Sequence, residues 1–237
     1  DQGDISISYL NGIQWSNPVK LKGNVNTNKW EGSCSLTSDG KTLYFSSERD
    51  GGFGGRDIYK ATLLPDTTWG MVTNLGDSIN TKYDEDAPFI HPNGLTLFFS
   101  SKGRNTMGDY DIFQSNMDPV DSLFRSPINL GYPINTPFND RYLVVSANAE
   151  IGFYSSEKVG GFGLNDIYSI TPAYVGKAPS VYLVKGTVTD NTKVIDSRML
   201  LEENSIRRRR KCDGCEYRFT TYEKLHLQMP QIVKKDA

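Results

Sequence analysis

The chain has 237 residues, 37% hydrophobic and 23% charged, with 22 Gly, 13 Tyr, 11 Phe and three Cys. That length admits one large or two modest domains, and no run of about 18 apolar residues is present to cross a membrane as a helix. A formal charge of −2 hides two unlike parts: residues 1–190 hold 15 Lys+Arg against 21 Asp+Glu (net −6), and residues 191–237 hold 11 against 7 (net +4).

A sign change at one place marks a boundary. The first residues, DQGDISISYL, have neither the basic stretch nor the apolar core of a signal peptide. Cys34, Cys212 and Cys215 are too few and too unevenly placed for a disulfide framework.

In chain order, two short strands are expected first, at 4–9 and 15–21. A unit of four follows, near 33–37, 42–47, 57–63 and 69–75. Ser-Asp-Gly makes its first turn and a Gly-rich loop its second. Alternation in TLYFSS and DIYKAT places Leu43, Phe45 and Ile58 on one shared face. Cys34 falls on the first strand of this unit, where a buried free thiol is expected. The unit then recurs. SDGKTLYFSSERDGGFGGRDIYKA (38–61) aligns with PNGLTLFFSSKGRNTMGDYDIFQS (92–115) and ANAEIGFYSSEKVGGFGLNDIYSI (147–170). Phe45, Phe99 and Tyr154 open aromatic-Ser-Ser triplets spaced by 54 and 55 residues, and Asn26, Asn80 and Asn135 repeat at the same intervals. Asp-Ile pairs begin at Asp4, Asp57, Asp111 and Asp166, and Trp15, Trp69 and Phe124 open the linking segments.

A four-stranded unit recurring at this period, with apolar faces buried only against its neighbours, is a propeller blade. The fold class expected is therefore all-β: a partial β-propeller of about three four-stranded blades plus two strands of a preceding blade. A small incomplete zinc-ribbon-like tail follows. Open blade faces predict association or marginal stability.

Glu31, Glu85 and Asp140, with Asp84 and Asp86, line up at one place in each unit. They suit hydrogen bonds to turn amides, or an acidic ring that attracts a cation or basic partner. Asp57, Asp111 and Asp166 take the same structural reading. GGFGGRD (51–57) and GGFGLND (160–166) read as tight turns, since calcium-binding glycine repeats recur within nine residues and a phosphate loop needs a following Lys-Ser/Thr. His91 precedes Pro-Asn-Gly and is expected to be exposed in a turn. No Ser-His-Asp set or paired glycosidase carboxylates can be assembled, so no enzyme and no small-molecule substrate are expected.

These residues resemble a family. SDGKTLYFSS–DIY, joined by W–NLG–INT–YDEDAP, is similar to the TolB-like propeller repeat over roughly residues 3–172, in the version found in OmpA-type envelope lipoproteins linked to type IX secretion. The resemblance implies a noncatalytic interaction or scaffold module in the periplasm, associated with the outer membrane, with protein partners in the cell envelope and no cofactor. Residues 181–190, VYLVKGTVTD, look like the first strand of the β-sandwich that follows in such proteins.

From Asn191 the text resembles another family, the zinc-ribbon repressor of ribonucleotide reductase genes. The matching features are TKVIDSR (192–198), SIRRRR (205–210), Cys212-x-x-Cys215, RFTTYE (218–223) and IVKKD (232–236). Domains are expected at 1–172, 173–190 and 191–237, with two families meeting between Thr189 and Thr192. The second resemblance implies a cytoplasmic DNA-binding regulator, with Cys212 and Cys215 as zinc ligands and Arg207, Arg208, Arg209 and Arg210 at phosphates. A plain solvated basic run is the other reading of those arginines. Structural zinc takes four ligands in tetrahedral array, yet LVKGTVTD, where the family carries its first Cys-x-x-Cys knuckle, has no cysteine. His226 is a remote third donor. Residues 191–237 are expected to fold poorly or bind zinc weakly, and the ATP-cone, cut at its first strand, to bind no nucleotide.

Overall fold

The computed structural model describes residues 3–171, 192–200, 205–212 and 218–224. Every regular element among them is a strand. The chain divides into two compact units, residues 1–178 and 179–237.

The first unit opens with β1 (Ser6–Ile7) paired to β4 (Val19–Lys20), and β2 (Leu10–Asn11) paired to β3 (Gln14–Trp15) in a hairpin between them. The two longer strands expected here are thus four short pieces. A four-stranded antiparallel meander follows: β5 (Glu31–Leu36), β6 (Thr42–Ser47), β7 (Asp57–Leu63) and β8 (Trp69–Asn74). The next blade repeats it with β9 (Glu85–Ile90), β10 (Thr96–Ser101), β11 (Asp111–Asn116) and β12 (Ile128–Asn129). The third holds β13 (Asp140–Val145), β14 (Gly152–Ser156) and β15 (Asp166–Ile170).

Turn chemistry explains why the strands stop where they do. Gly40 and Gly94 stand at φ +69° and +71°, a left-handed conformation that glycine adopts without a Cβ penalty. The third copy puts Ala149 there at φ +57°. Each first strand also carries a bulge, with register shifts after Gly32, Asp86 and Arg141. The bulged residues Ser33, Ala87 and Tyr142 all have positive φ, which re-aims the strand where the blades converge.

The core lies between blades. Leu43, Phe45, Tyr59 and Ala61 of the first blade pack with Ile5, Val25 and Trp69. Tyr44 and Ile58, on the blade's other side, pack with Ile90, Leu97, Phe99, Phe113 and Phe124 of the second. Phe98 and Ile112 then meet Leu143, Val145 and Tyr154 of the third. Each fully buried aromatic or aliphatic side chain contributes about 1.5–3 kcal/mol.

The shared face expected for Leu43, Phe45 and Ile58 is corrected here. Ile58 pairs with Ser46, not with Phe45, and so lies on the Tyr44 side. A blade sandwiched between blades is apolar on both faces, and alternation then loses its in/out contrast. His91 is also not exposed: it is fully buried. Its Nε2 lies 3.2 Å from the Ser146 carbonyl of the third blade, and its Nδ1 accepts from the Asn93 amide at 3.3 Å. Cys34, expected buried, is exposed.

The second unit is an antiparallel sheet of β16 (Thr192–Leu200), β17 (Ser205–Cys212) and β18 (Arg218–Lys224), with β17 in the middle. Residues 181–190, Cys215 and His226 lie outside the described residues.

Candidate functional site

The repeated acids are fully buried in the blade stack. Glu31 accepts from the Thr27 amide (2.8 Å), the Thr27 hydroxyl (2.6 Å) and the Ser47 hydroxyl (2.9 Å). Glu85 repeats the set with Thr81 (2.7 and 2.7 Å) and Ser101 (2.7 Å). Asp140 reaches only the first two, accepting the Thr136 amide at 2.6 Å and hydroxyl at 2.8 Å on one oxygen. Its other oxygen and the Ser156 hydroxyl are both buried without a hydrogen bond. Burial pushes the Glu85 and Asp140 carboxyls above the usual range, against the downward pull of the nearby hydroxyls and amides.

Asp57, Asp111 and Asp166 close the loops between second and third strands. Asp57 accepts the amides of Phe53 (2.6 Å) and Gly54 (3.0 Å), Asp111 those of Met107 (2.7 Å) and Gly108 (3.1 Å), and Asp166 those of Phe162 (2.8 Å) and Gly163 (3.2 Å). Glycine in this loop answers to close approach: a Cβ on Gly54 would stand 1.8 Å from the Tyr83 carbonyl oxygen, and one on Gly108 2.1 Å from that of Phe138. Asp4, first of the Asp-Ile series, is instead ion-paired to Lys20.

The Asn repeat clamps each linker to the blade before it. Asn80 accepts the Ile58 amide at 2.8 Å and donates to the Ile58 carbonyl at 2.9 Å. Asn135 does the same to Ile112, both at 2.8 Å, and Asn26 to Ile5 at 2.8 and 3.0 Å. A carboxamide presents one donor and one acceptor side by side, as a backbone does, so these side chains extend the pairing of the third strand.

A cluster not singled out from the sequence joins three blades. Asp86 takes Arg56 Nη1 at 2.8 Å and Arg141 Nη2 at 2.7 Å. Burial pushes its carboxyl up, but hydrogen bonds from Arg141 and Ser33 and the charge of Arg56 outweigh this and hold it below the usual carboxylate range. Arg56 stacks over Trp30 (3.9 Å) and Arg141 over Tyr110 (4.1 Å). Asp84 instead lies 3.5 Å from Lys102. Neither Asp84 nor Asp86 therefore adds an open anionic site to the three buried acids. The arginines escaped notice because they occupy non-equivalent places in the repeat: Arg56 precedes Asp57, whereas Arg141 follows Asp140. Only their departure from the repeat could have flagged them.

Beside this cluster the three bulged strands line a groove of about 140 Å³, bounded by Ser33, Cys34, Ser35, Ala87, Pro88, Phe89, Tyr142, Leu143 and Val144. Cys34 faces solvent here, yet desolvation by the groove walls raises its thiol above the usual range, against a smaller backbone hydrogen bond. A thiol so held is a poor nucleophile at neutral pH.

In the second unit, β17 places Arg207, Arg208, Arg209 and Arg210 in consecutive register opposite Tyr222, Thr221, Thr220 and Phe219 of β18. On the other edge, Arg207, Arg208, Arg209 and Arg210 pair with Arg198, Ser197, Asp196 and Val194. Cys212 ends the strand opposite Thr192. The chain immediately before Thr192, which leads up to Cys212's partner, contains no cysteine. Two thiolates from this chain do not make the four-ligand site a structural zinc requires, and no cluster of three or more His, Cys, Asp or Glu occurs among the described residues.

Residues 188–223 match the family described as the N-terminal domain of NrdR-like transcriptional repressors. Over 48 residues the chain is 55% identical to the transcriptional repressor NrdR of Janthinobacterium sp. (strain Marseille) and 57% identical to that of Herminiimonas arsenicoxydans. Each alignment covers 20% of this chain and 31% of the relative, so the chain spans about a third of the length of the curated relatives it matches. Among solved structures, an endo-arabinase from Bacteroides thetaiotaomicron aligns over 97% of this chain and 88% of its own, at 10% identity and a TM-score of 0.46. An α-L-arabinofuranosidase from Lactobacillus brevis aligns over 81% and 73%, at 10% identity and 0.41. Likenesses this distant carry nothing about chemistry.

Proposed function

We propose that the blade unit is a noncatalytic interaction or scaffold module of a bacterial cell-envelope protein, periplasmic and associated with the outer membrane, with protein partners. The observation that carries this reading is the use of the repeated polar residues. Glu31, Glu85, Asp140, Asp57, Asp111, Asp166 and the three asparagines close on the backbone and side chains of their own blade or an adjoining linker. Repetition here serves the building of a stack. What the stack offers outward is loops tipped with apolar side chains such as Phe53, Met107 and Phe162, the composition of a protein-contact surface. His91, buried and hydrogen-bonded between two turns, is out of reach of a substrate. The envelope assignment itself draws on the resemblance of the repeat.

A second reading, a zinc- and DNA-binding repressor in the cytoplasm, is favoured by the 188–223 match and by the run of arginines on β17. The half-complete donor set weighs against it. Two measurements on the purified chain separate the readings. Retention on immobilised envelope or secretion components, without a salt-dependent gel shift on ribonucleotide reductase promoter DNA, supports the envelope module. A shift abolished by Arg208→Ala and Arg209→Ala together, with less than one tightly held zinc per chain, would assign DNA contact to β17 without the metal. One tight zinc per monomer would sink the half-site reasoning.

A further inference from the structure

The repeat supplies its own record of how a blade face is covered. Four isoleucines follow the Asp of the Asp-Ile pairs. Ile5, Ile58 and Ile112 are buried, each against the next unit, but Ile167 is 81% exposed. Tyr44 and Phe98, second aromatic position of the same face, are buried, whereas their equivalent Phe153 is 44% exposed. Gly163 tells the same story. The next linker's carbonyls press on Gly54 and Gly108, while nothing lies closer to a Cβ on Gly163 than the loop's own Asn165 and Asp166 at 4.0 Å.

The opposite side of the unit shows the complementary vacancy. Trp69 and Phe124 are buried, but Trp15, which opens the corresponding segment, is 68% exposed. Ile90 and Val145 on the first strands are buried, but their equivalent Leu36 is 48% exposed. One internal contact shows how these two sides fit. Phe124 of the second blade meets Tyr44 of the first edge-on, with ring centroids 6.0 Å apart. Trp15 and Phe153 are the repeat equivalents of that pair, and both are uncovered.

We propose that this chain self-associates head to tail, the Phe153–Ile167 face of one copy receiving the Trp15–Leu36 side of a second. A contact between two different patches is heterologous, and it closes into a ring when the rotation between copies permits. Counting the N-terminal strand pairs as one position, each copy supplies four positions of the propeller repeat. Two copies supply about eight, the upper end of the usual range for closed propellers. The associated state is therefore a closed dimer in which Trp15 packs on Phe153 at both junctions.

Sedimentation or light scattering of the full chain at micromolar concentration tests this, with doubled mass expected. Ile167→Asp adds a charge at a position exposed in the single copy, so far-UV circular dichroism should not change, while the dimer dissociation constant should rise at least about tenfold. A dimer indifferent to Ile167→Asp overturns the proposal, as does a monomer across the micromolar range. Arrangement is read separately, in a chain carrying Cys34→Ser, Cys212→Ser and Cys215→Ser. Mixing its Trp15→Cys and Phe153→Cys forms should give mixed disulfide dimers. Cross-links only of Phe153→Cys to itself would mean face-to-face pairing and sink the head-to-tail form.

Discussion

Asp140→Glu is expected to stabilise the blade unit. The three repeated acids stand at the same register, with Glu31 opposite Ser47, Glu85 opposite Ser101 and Asp140 opposite Ser156. In the first two, the carboxylate reaches the serine at 2.9 and 2.7 Å. In the third, a side chain one methylene shorter leaves Asp140 Oδ1 and Ser156 Oγ buried and without a hydrogen bond. A buried unsatisfied polar group costs about 1–3 kcal/mol, and a hydrogen bond to a charged group contributes about 1.5–3. Glutamate needs room for one more methylene in a close-packed interior, which offsets part of the gain. A net stabilisation of about 1–2 kcal/mol is expected. The chain's three tryptophans all fall within residues 15–69, so their fluorescence follows the blade unit during urea unfolding. With slopes of roughly 1–3 kcal/mol per molar urea, the midpoint should rise by about 0.5–1 M. Ser156→Ala supplies the control. Alone it removes a hydroxyl that has no partner and should be close to neutral, whereas in the Asp140→Glu background it should cost about 1 kcal/mol or more. An equal effect of Ser156→Ala in both backgrounds, or a lower midpoint for Asp140→Glu, would refute the reasoning.

Three further outcomes are expected. Asn80→Ala strips the Ile58 amide of its acceptor and one donor from the Ile58 carbonyl inside the stack, and should lower stability by about 2–4 kcal/mol in the same urea assay. Ala149→Gly relieves a left-handed alanine at φ +57° where the other two units have glycine. The relief, about 1–2 kcal/mol, is partly offset by about 0.4–1 kcal/mol of added unfolded-state entropy, so melting should move upward slightly, whereas Gly94→Ala should move it down. Burial holds the His91 imidazole below the ordinary histidine range. The unfolded chain therefore binds the proton first, and stability is full above pH of about 6.5 and declines as pH falls toward the folded value. Urea midpoints should drop over that window, and His91→Gln should flatten the slope. Glu85 and Asp140, raised by burial, act in the opposite sense nearer the carboxylate range.

The period, the turns and the blade count were legible because they are local. Ser-Asp-Gly and Pro-Asn-Gly bend the chain wherever they stand, and the Asp-Ile and Asn-Thr landmarks keep step with a strand-turn-strand unit whose hydrogen bonds close within a few residues of each. The strands at 42–47 and 57–63 fell where turn chemistry put them. Strand starts such as Glu31 were less legible, since the bulge at Ser33 depends on how three blades converge. The tail's family was legible from some 40 residues of close text, and so was the loss of half its thiolates.

By itself, then, the sequence determined a repeated four-strand sheet, its turns, and a basic tail of other descent, because short-range propensity and spacing suffice for these. Only tertiary structure decided which side of a blade Ile58 occupies, that His91 is buried beneath a neighbouring turn, and that Asp86 ties Arg56 to Arg141. It also decided which copy of a repeated face stays uncovered. The physical reason is common to all four: a blade is buried on both faces, so what a side chain meets is set by the neighbouring sheet, and no pattern within a single strand encodes that neighbour.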